Sequence, residues 1–178
     1  MTMHEESVGI PMILSGAGVP QGVCNTQVSL VDVHQTVLES SGLGETEMDK
    51  SLPGQSLFQT AKAPDDPNRV VFSEYHDGGS ITGFMMLREG RWKYITYPGF
   101  APQLFDLESD PFETNDLGLT TEHAPIRERL HQRMCKEFAD PEVINENAFA
   151  DQAERIKELG GIDGIYQREN YDHTPVTD

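Results

Sequence analysis

Between Gly83 and Leu117 the sequence reads GFMMLREGRWKYITYPGFAPQLFDLESDPFETNDL, and this stretch most limits what the chain can fold into. Phe84, Met86 and Arg88 alternate with Met85 and Leu87. After Glu89-Gly90, Trp92, Tyr94 and Thr96 alternate with Lys93, Ile95 and Tyr97. Aromatic and β-branched residues at period two suit a half-buried sheet, and glycine beside an acidic residue supplies the positive φ of a tight hairpin. A third strand, Gln103 to Leu107, is expected beyond the breaker Pro98-Gly99-Phe100-Ala101-Pro102, followed by an acidic turn around Asp110-Pro111. Three strands sharing one face hold together where a lone hairpin does not. The chain's only Trp and two of its five Tyr lie here, so this is the expected core.

The other segments read in order as follows. Ile10 to Ser15 is a nearly continuous apolar run, the pattern of a strand buried on both faces. Such a strand needs neighbours on either side, so the chain reads as the tail of a longer one. Gly16-x-Gly18 resembles the start of a dinucleotide fingerprint, but Gln21 holds the third position and Pro20 interrupts the loop; a plain connection is expected. Ser29 to Ser41 reads as a helix capped by Ser29, with Asp32 in its first turn. Leu30, Val33, Val37 and Leu38 form its inward stripe, and Gly42 ends it. Leu43 to Pro67 reads as a loop-rich crossing. Val70 to Tyr75 is another strand, running into Glu74-Tyr75-His76-Asp77-Gly78-Gly79. His76 there is either an exposed turn histidine or a group projected into a cleft. Ala124 to Phe138 is a helix with Ile126, Leu130, Met134 and Phe138 on one face, stopped by Asp140-Pro141. Asn145 to Leu159 is a last helix with Phe149, Ala153, Ile156 and Leu159 inward, and from Ile162 the chain is expected to order only against a partner.

Composition excludes several classes of function. Thirty acidic against thirteen basic residues give 178 residues a formal charge of −17, which repels phosphate backbones and anionic membranes. No apolar run approaches the roughly 18 residues of a membrane span. The opening MTMHEESVGIPMILSG lacks the basic start of a signal peptide. Cys24 and Cys135 form no CxxC pair and read as reduced thiols of a cytoplasmic protein. The Asp106-Leu107-Glu108-Ser109-Asp110 turn alternates oxygen ligands as a calcium loop does, but Pro111 sits at the sharp-turn glycine position and Leu117 at the bidentate glutamate. These carboxylates are expected to cap turns. The chain shows no P-loop, nucleophile elbow or zinc spacing, so no catalytic and no metal-binding residue is assigned.

Several segments, in this order, resemble the C-terminal third of a type I sulfatase of the alkaline phosphatase superfamily. They are Glu5-Glu6-Ser7 into Gly9-Ile10-Pro11-Met12-Ile13, Ser15 to Pro20, Val28-Ser29-Leu30-Val31-Asp32, and Leu52-Pro53-Gly54-Gln55-Ser56-Leu57. Val71-Phe72-Ser73-Glu74-Tyr75, Met86-Leu87-Arg88 to Trp92-Lys93-Tyr94-Ile95, and Gln103 to Leu107 with Asp110-Pro111 to Asp116-Leu117 complete the set. The flavour is that of bacterial choline-sulfatase-like members. The resemblance implies an α+β fragment. Residues 1–45 would end an α/β main domain with its last strand and helix, and 46–69 would link onward. Residues 70–138 would form a small antiparallel sheet packed on a C-terminal helix, and 139–178 a helical and loose tail. It implies hydrolysis of a small sulfate-ester substrate only in the full-length enzyme, with calcium or a similar divalent ion and a formylglycine supplied from elsewhere. Neither cysteine is followed by Pro-x-Arg, the context from which formylglycine is made. The partner implied is the missing N-terminal catalytic part, and an unpaired edge at Ile10 would favour self-association and oligomers. His76 and Tyr75 are the expected substrate-binding residues. A phosphonate monoester or phosphodiester hydrolase, or a non-catalytic interaction domain, are the alternatives.

Overall fold

The computed structural model describes residues 2–76 and 79–167; Asp77 and Gly78 of the expected loop, and the end of the tail (168–178), lie outside the described residues. The hairpin forms where the period-two pattern placed it. Val70–Tyr75 (β1), Phe84–Glu89 (β2), Trp92–Thr96 (β3) and Gln103–Asp106 (β4) make one antiparallel sheet in the order β1-β2-β3-β4. Glu89 pairs with Trp92 across a turn in which Gly90 takes φ 54°, a left-handed value that glycine adopts without penalty. The expected third strand is joined by β1, so the sheet has four.

The sheet is buried on both faces, not one. Met85, Leu87, Tyr94 and Leu104 pack against Leu130 and Met134 of a long helix, Ala124–Glu137. On the other face Phe84, Met86, Ile95 and Phe105 are covered by Met3 and by Val8 of the short helix α1 (Glu5–Val8). Burying a large apolar side chain contributes roughly 1.5–3 kcal/mol, and these two layers supply the main stabilisation. A sheet-and-helix unit of this kind is what the sequence led one to expect of the second half.

The first half departs from expectation in three ways. Ile10 to Ser15 is not a strand: no neighbouring strand bonds it, and Ile13 is 88% exposed. The helix read from Ser29 runs Asp32–Ser41 (α2), and Ser29 does not cap it. Asp32 instead folds its carboxylate back to accept the Ser29 amide at 2.8 Å. Its burial is inverted, with Asp32, Gln35 and Thr36 inside while Leu30, Val33 and Val37 of the expected stripe face solvent. The stretch read as a loop-rich crossing carries two short helices, Glu47–Ser51 (α3) and Leu57–Lys62 (α4). A reciprocal Thr46–Asp49 capping box starts α3, and Ser56 caps α4. The Leu57 amide donates to Thr36 Oγ1 at 2.9 Å, which docks α4 on α2.

After the sheet come Ala124–Glu137 (α5), Pro141–Glu158 (α6) and Gly161–Tyr166 (α7), the last where a loose tail was expected. Phe138, just past α5, stacks on Phe72 at 4.4 Å. Asp140-Pro141, read as a stop, is equally a start. Proline is pre-organised for the first helical position, and Asp140 accepts the Glu142 amide at 3.0 Å. Helix α6 therefore begins four residues before Asn145, and Phe149 and Ile156 are not inward but largely exposed. No helix among the described residues is long and apolar enough to cross a membrane.

Candidate functional site

Strand β1 delivers Glu74, Tyr75 and His76 to one end of the sheet, and the two residues singled out from the sequence have different surroundings there. Tyr75 stacks on Phe84 at 5.0 Å and belongs to the layer covered by Met3. His76 lines a small cavity on α6, with Ser80, Thr82, Gly83, Ala148, Phe149 and Gln152. Successive residues of a strand face opposite sides, so one strand end sends the phenol into packing and the imidazole into the cavity. The cavity holds about 10 Å³, room for one water-sized atom.

His76 is held tightly. Its side chain is 17% exposed, and neither ring nitrogen has a hydrogen-bond partner among the described residues. Glu74 Oε2 lies 3.7 Å from Nε2, beyond bonding range. A Cβ on Gly83 would come within 2.2 Å of Nδ1, so only glycine lets the imidazole lie against the chain there. An unpaired buried polar group costs about 1–3 kcal/mol, which an oxygen of a water or ligand would remove. The imidazole can donate to such an oxygen from one nitrogen and accept at the other.

A second cluster is buried and ionic. Lys93 is fully buried, with Nζ 2.9 Å from Glu5 Oε1 and 2.8 Å from Glu113 Oε1. The Glu113 contact is an ion pair without the alignment of a hydrogen bond. The Glu5 amide donates to Glu113 Oε2 at 2.5 Å, and Arg88 holds Glu5 Oε2 at 2.9 Å. Glu113 adopts φ 53°, a strained value for a side-chain-bearing residue, so the pairing over-determines its backbone. The period-two pattern put Lys93 on the face opposite Tyr94 but could not show that α1 covers that face. This cluster was therefore missed, and the one available signal was a lysine inside an otherwise apolar strand.

His4, Glu6 and Glu113 offer ligand atoms within 4.8 Å of one another. They do not fit the calcium ion implied by the sequence resemblance. Calcium takes six to eight oxygen ligands. Glu113, the buried one of the three, is already committed to the Lys93 ammonium and the Glu5 amide. The acidic turn is occupied as well, by the structure itself. Asp106 binds Arg91, Ser109 Oγ and the Glu108 amide, and Asp110 accepts the Asn115 amide at 2.8 Å. The Arg91 hydrogen bonds hold the Asp106 carboxyl down at about 2.

The cysteines are no better placed for chemistry. Burial pushes the Cys135 thiol up, away from the reactive thiolate, although His131 Nε2 lies 3.7 Å from Sγ. Cys24 is exposed beside an apolar cleft lined by Met12, Ile13, Val19, Val23, Val28 and Leu57, with a volume of about 300 Å³. Residues 10–37 also expose Ile10, Ile13, Leu30, Val33 and Val37. Their framework is polar. Asp32, fully buried, accepts the Gln55 amide at 2.9 Å and pairs with Arg69 at 2.6 Å.

The family model and the curated relatives point to one family. The family model of the N-sulphoglucosamine sulphohydrolase C-terminal region matches residues 1–140. Arylsulfatase K of Mus musculus is 34% identical over 155 residues, covering 80% of this chain and 27% of that protein. Choline-sulfatase of Rhizobium meliloti (strain 1021) is 32% identical over 117 residues, covering 66% and 23%. Among solved structures, Ps i-CgsB in complex with k-i-k-neocarrahexaose superposes with a TM-score of 0.53 at 18% identity, over 80% of this chain and 32% of that one, a likeness of fold alone. The chain spans about a quarter of the length of the curated relatives it matches.

Proposed function

The chain belongs to the type I sulfatases and corresponds to their C-terminal region, and from that premise we propose that it completes an enzyme hydrolysing sulfate monoesters. The observation that carries this reading is the inverted burial of α2. A helix that buries Asp32, Gln35 and Thr36 while exposing Val33 and Val37, with Leu30 exposed just before it, is finished on one side only. Its apolar side, with Ile10 to Leu14, docks on the α/β main domain that makes up most of a sulfatase's length. The alternative of a phosphonate ester hydrolase has less support, because relatives above 30% identity include arylsulfatase K and a choline-sulfatase.

The catalytic groups come from that main domain. In such an enzyme the formylglycine supplies the nucleophile and a divalent ion offsets sulfate charge. No residue of this chain is assigned to either, consistent with the poor fit of His4, Glu6 and Glu113. What this region contributes is an edge of the cleft. His76, whose ring nitrogens make no hydrogen bond among the described residues, hydrogen-bonds an oxygen of the sulfate ester, and Tyr75 stacked on Phe84 fixes the strand end that carries it. In the complete enzyme His76→Ala is expected to change KM or kcat by about tenfold, measured with 4-nitrophenyl sulfate. Unchanged kinetics would remove His76 from the cleft. The 178-residue chain alone should show no turnover, and metal-dependent hydrolysis by it would contradict the assignment.

A further inference from the structure

Most of helix α6 has no packing reason to be where it is. Its first turn is tied to the sheet through fully buried Pro141 and through Ile144 at the edge of the α5-side core. Further along, Phe149 is 41% exposed and Gln152 is exposed, yet both border the cavity of His76. Between these points Asn145 acts as a fastener. Its Oδ1 accepts the Gly83 amide at 2.7 Å and the Thr82 hydroxyl at 3.4 Å. Gly83 is the residue on which the imidazole rests, so one amide side chain sets the register of α6 against His76. The family match ends at residue 140, just before α6 begins, so this wall lies beyond the region the family model covers.

We propose that α6 is the specificity wall of the substrate pocket: Phe149 and Gln152 contact the alcohol portion of the sulfate ester, and Asn145 is the positioning residue that holds them against His76. The proposal rests on the assignment of His76 to the cleft. The space beside His76, about 10 Å³, takes only one oxygen-sized atom, so the rest of the ligand lies outside it, along α6. An aromatic face beside an amide that both donates and accepts suits a hydroxyl-bearing ring, whose C–H face packs on Phe149 while a hydroxyl meets Gln152. A ligand without hydroxyls can use only the Phe149 face.

The test compares glucosamine 6-sulfate with 4-nitrophenyl sulfate in the complete enzyme. Phe149→Ala and Gln152→Ala, both at exposed positions that leave the fold intact, are each expected to shift the ratio of the two kcat/KM values at least fivefold, through KM with kcat held. Asn145→Ala should shift the ratio likewise, and Asn145→Asp, which keeps an acceptor for the Gly83 amide, should restore it. A ratio unmoved within twofold in both Phe149→Ala and Gln152→Ala, while His76→Ala still costs tenfold, overturns the wall and leaves the cleft assignment standing. An unaffected His76→Ala enzyme removes both. Failure of Asn145→Asp to restore the ratio overturns the positioning role.

Discussion

Strand β3 and helix α2 carry equally regular apolar patterns and meet opposite fates. In β3 the pattern is satisfied within the chain: Tyr94 meets α5, Ile95 meets the segment around Met3, and even Lys93 is neutralised by Glu5 and Glu113. In α2 the polar residues are inside, bound to Gln55, Leu57 and Arg69, and Val37 is 56% exposed. One region is closed on both faces, and the other is closed on its polar face and open on its apolar one. The difference separates a unit whose apolar faces are covered within the chain from one whose apolar face is exposed, the face proposed above to dock on the main domain.

The sharpest way to break the comparison is to open the closed region. Lys93→Met keeps the buried stem and removes the charge, leaving Glu113 buried without its cation. The expected cost is about 3–5 kcal/mol, or roughly 10 °C in Tm. A thermal melt within about 2 °C of the parent would show that the ionic layer is not structural. In the open region, Asp32→Ala removes the acceptor for two backbone amides and for Arg69. It should cost about 2–3 kcal/mol locally, loosening α2 and α4 in amide exchange while β2 and β3 keep their protection. Loss of protection in the sheet as well would mean that the two regions unfold together.

Acid should act on the closed region late. Asp106 is held at about 2 in the folded chain, chiefly by Arg91, below the ordinary value near 4. A lowered carboxyl contributes stability that is present above pH ~4 and is lost as pH falls through about 2. Trp92, paired with Asp106 across β3 and β4, reports this corner. Its fluorescence should stay native-like at pH 3 and change below, whereas Asp106→Asn should flatten the pH dependence between 4 and 2. Equal slopes in the two proteins would remove Asp106 as the linked group. The smallest effect belongs to the open surface. Val37→Ser should alter stability by under about 0.5 kcal/mol and yet reduce self-association in light scattering. A parent chain that stays monomeric at high concentration would contradict the exposed-face reading.

What could be read in advance follows the same division. The hairpin, β1 and α5 were legible because period two and the i+4 steps of Leu130 and Met134 report burial directly when the chain covers its own faces. Residues 10–41 misled because their apolar pattern is real but faces solvent, not a core, among the described residues. Ile13 therefore looked like strand interior, and Leu30 like a core stripe. The polar hub at Asp32 had no pattern to announce it, since a carboxylate at a helix start is ordinarily a solvated cap. Helix α6 was placed late because Asp140-Pro141 is both the end of one helix and the start of the next. His76 could be singled out from its strand end, but the Gly83–Asn145 hydrogen bond beside it crosses more than sixty residues, and the importance of Gly83 shows only when the imidazole is seen resting on it.

Amide exchange compared between this 178-residue chain and the complete enzyme tests the central claim most directly, that residues 10–37 are a surface completed by the sulfatase main domain. The expected result is at least tenfold slower exchange across residues 10–37 in the complete enzyme, with Phe84 to Asp106 equally protected in both. Equal, rapid exchange of residues 10–37 in the two proteins would contradict it.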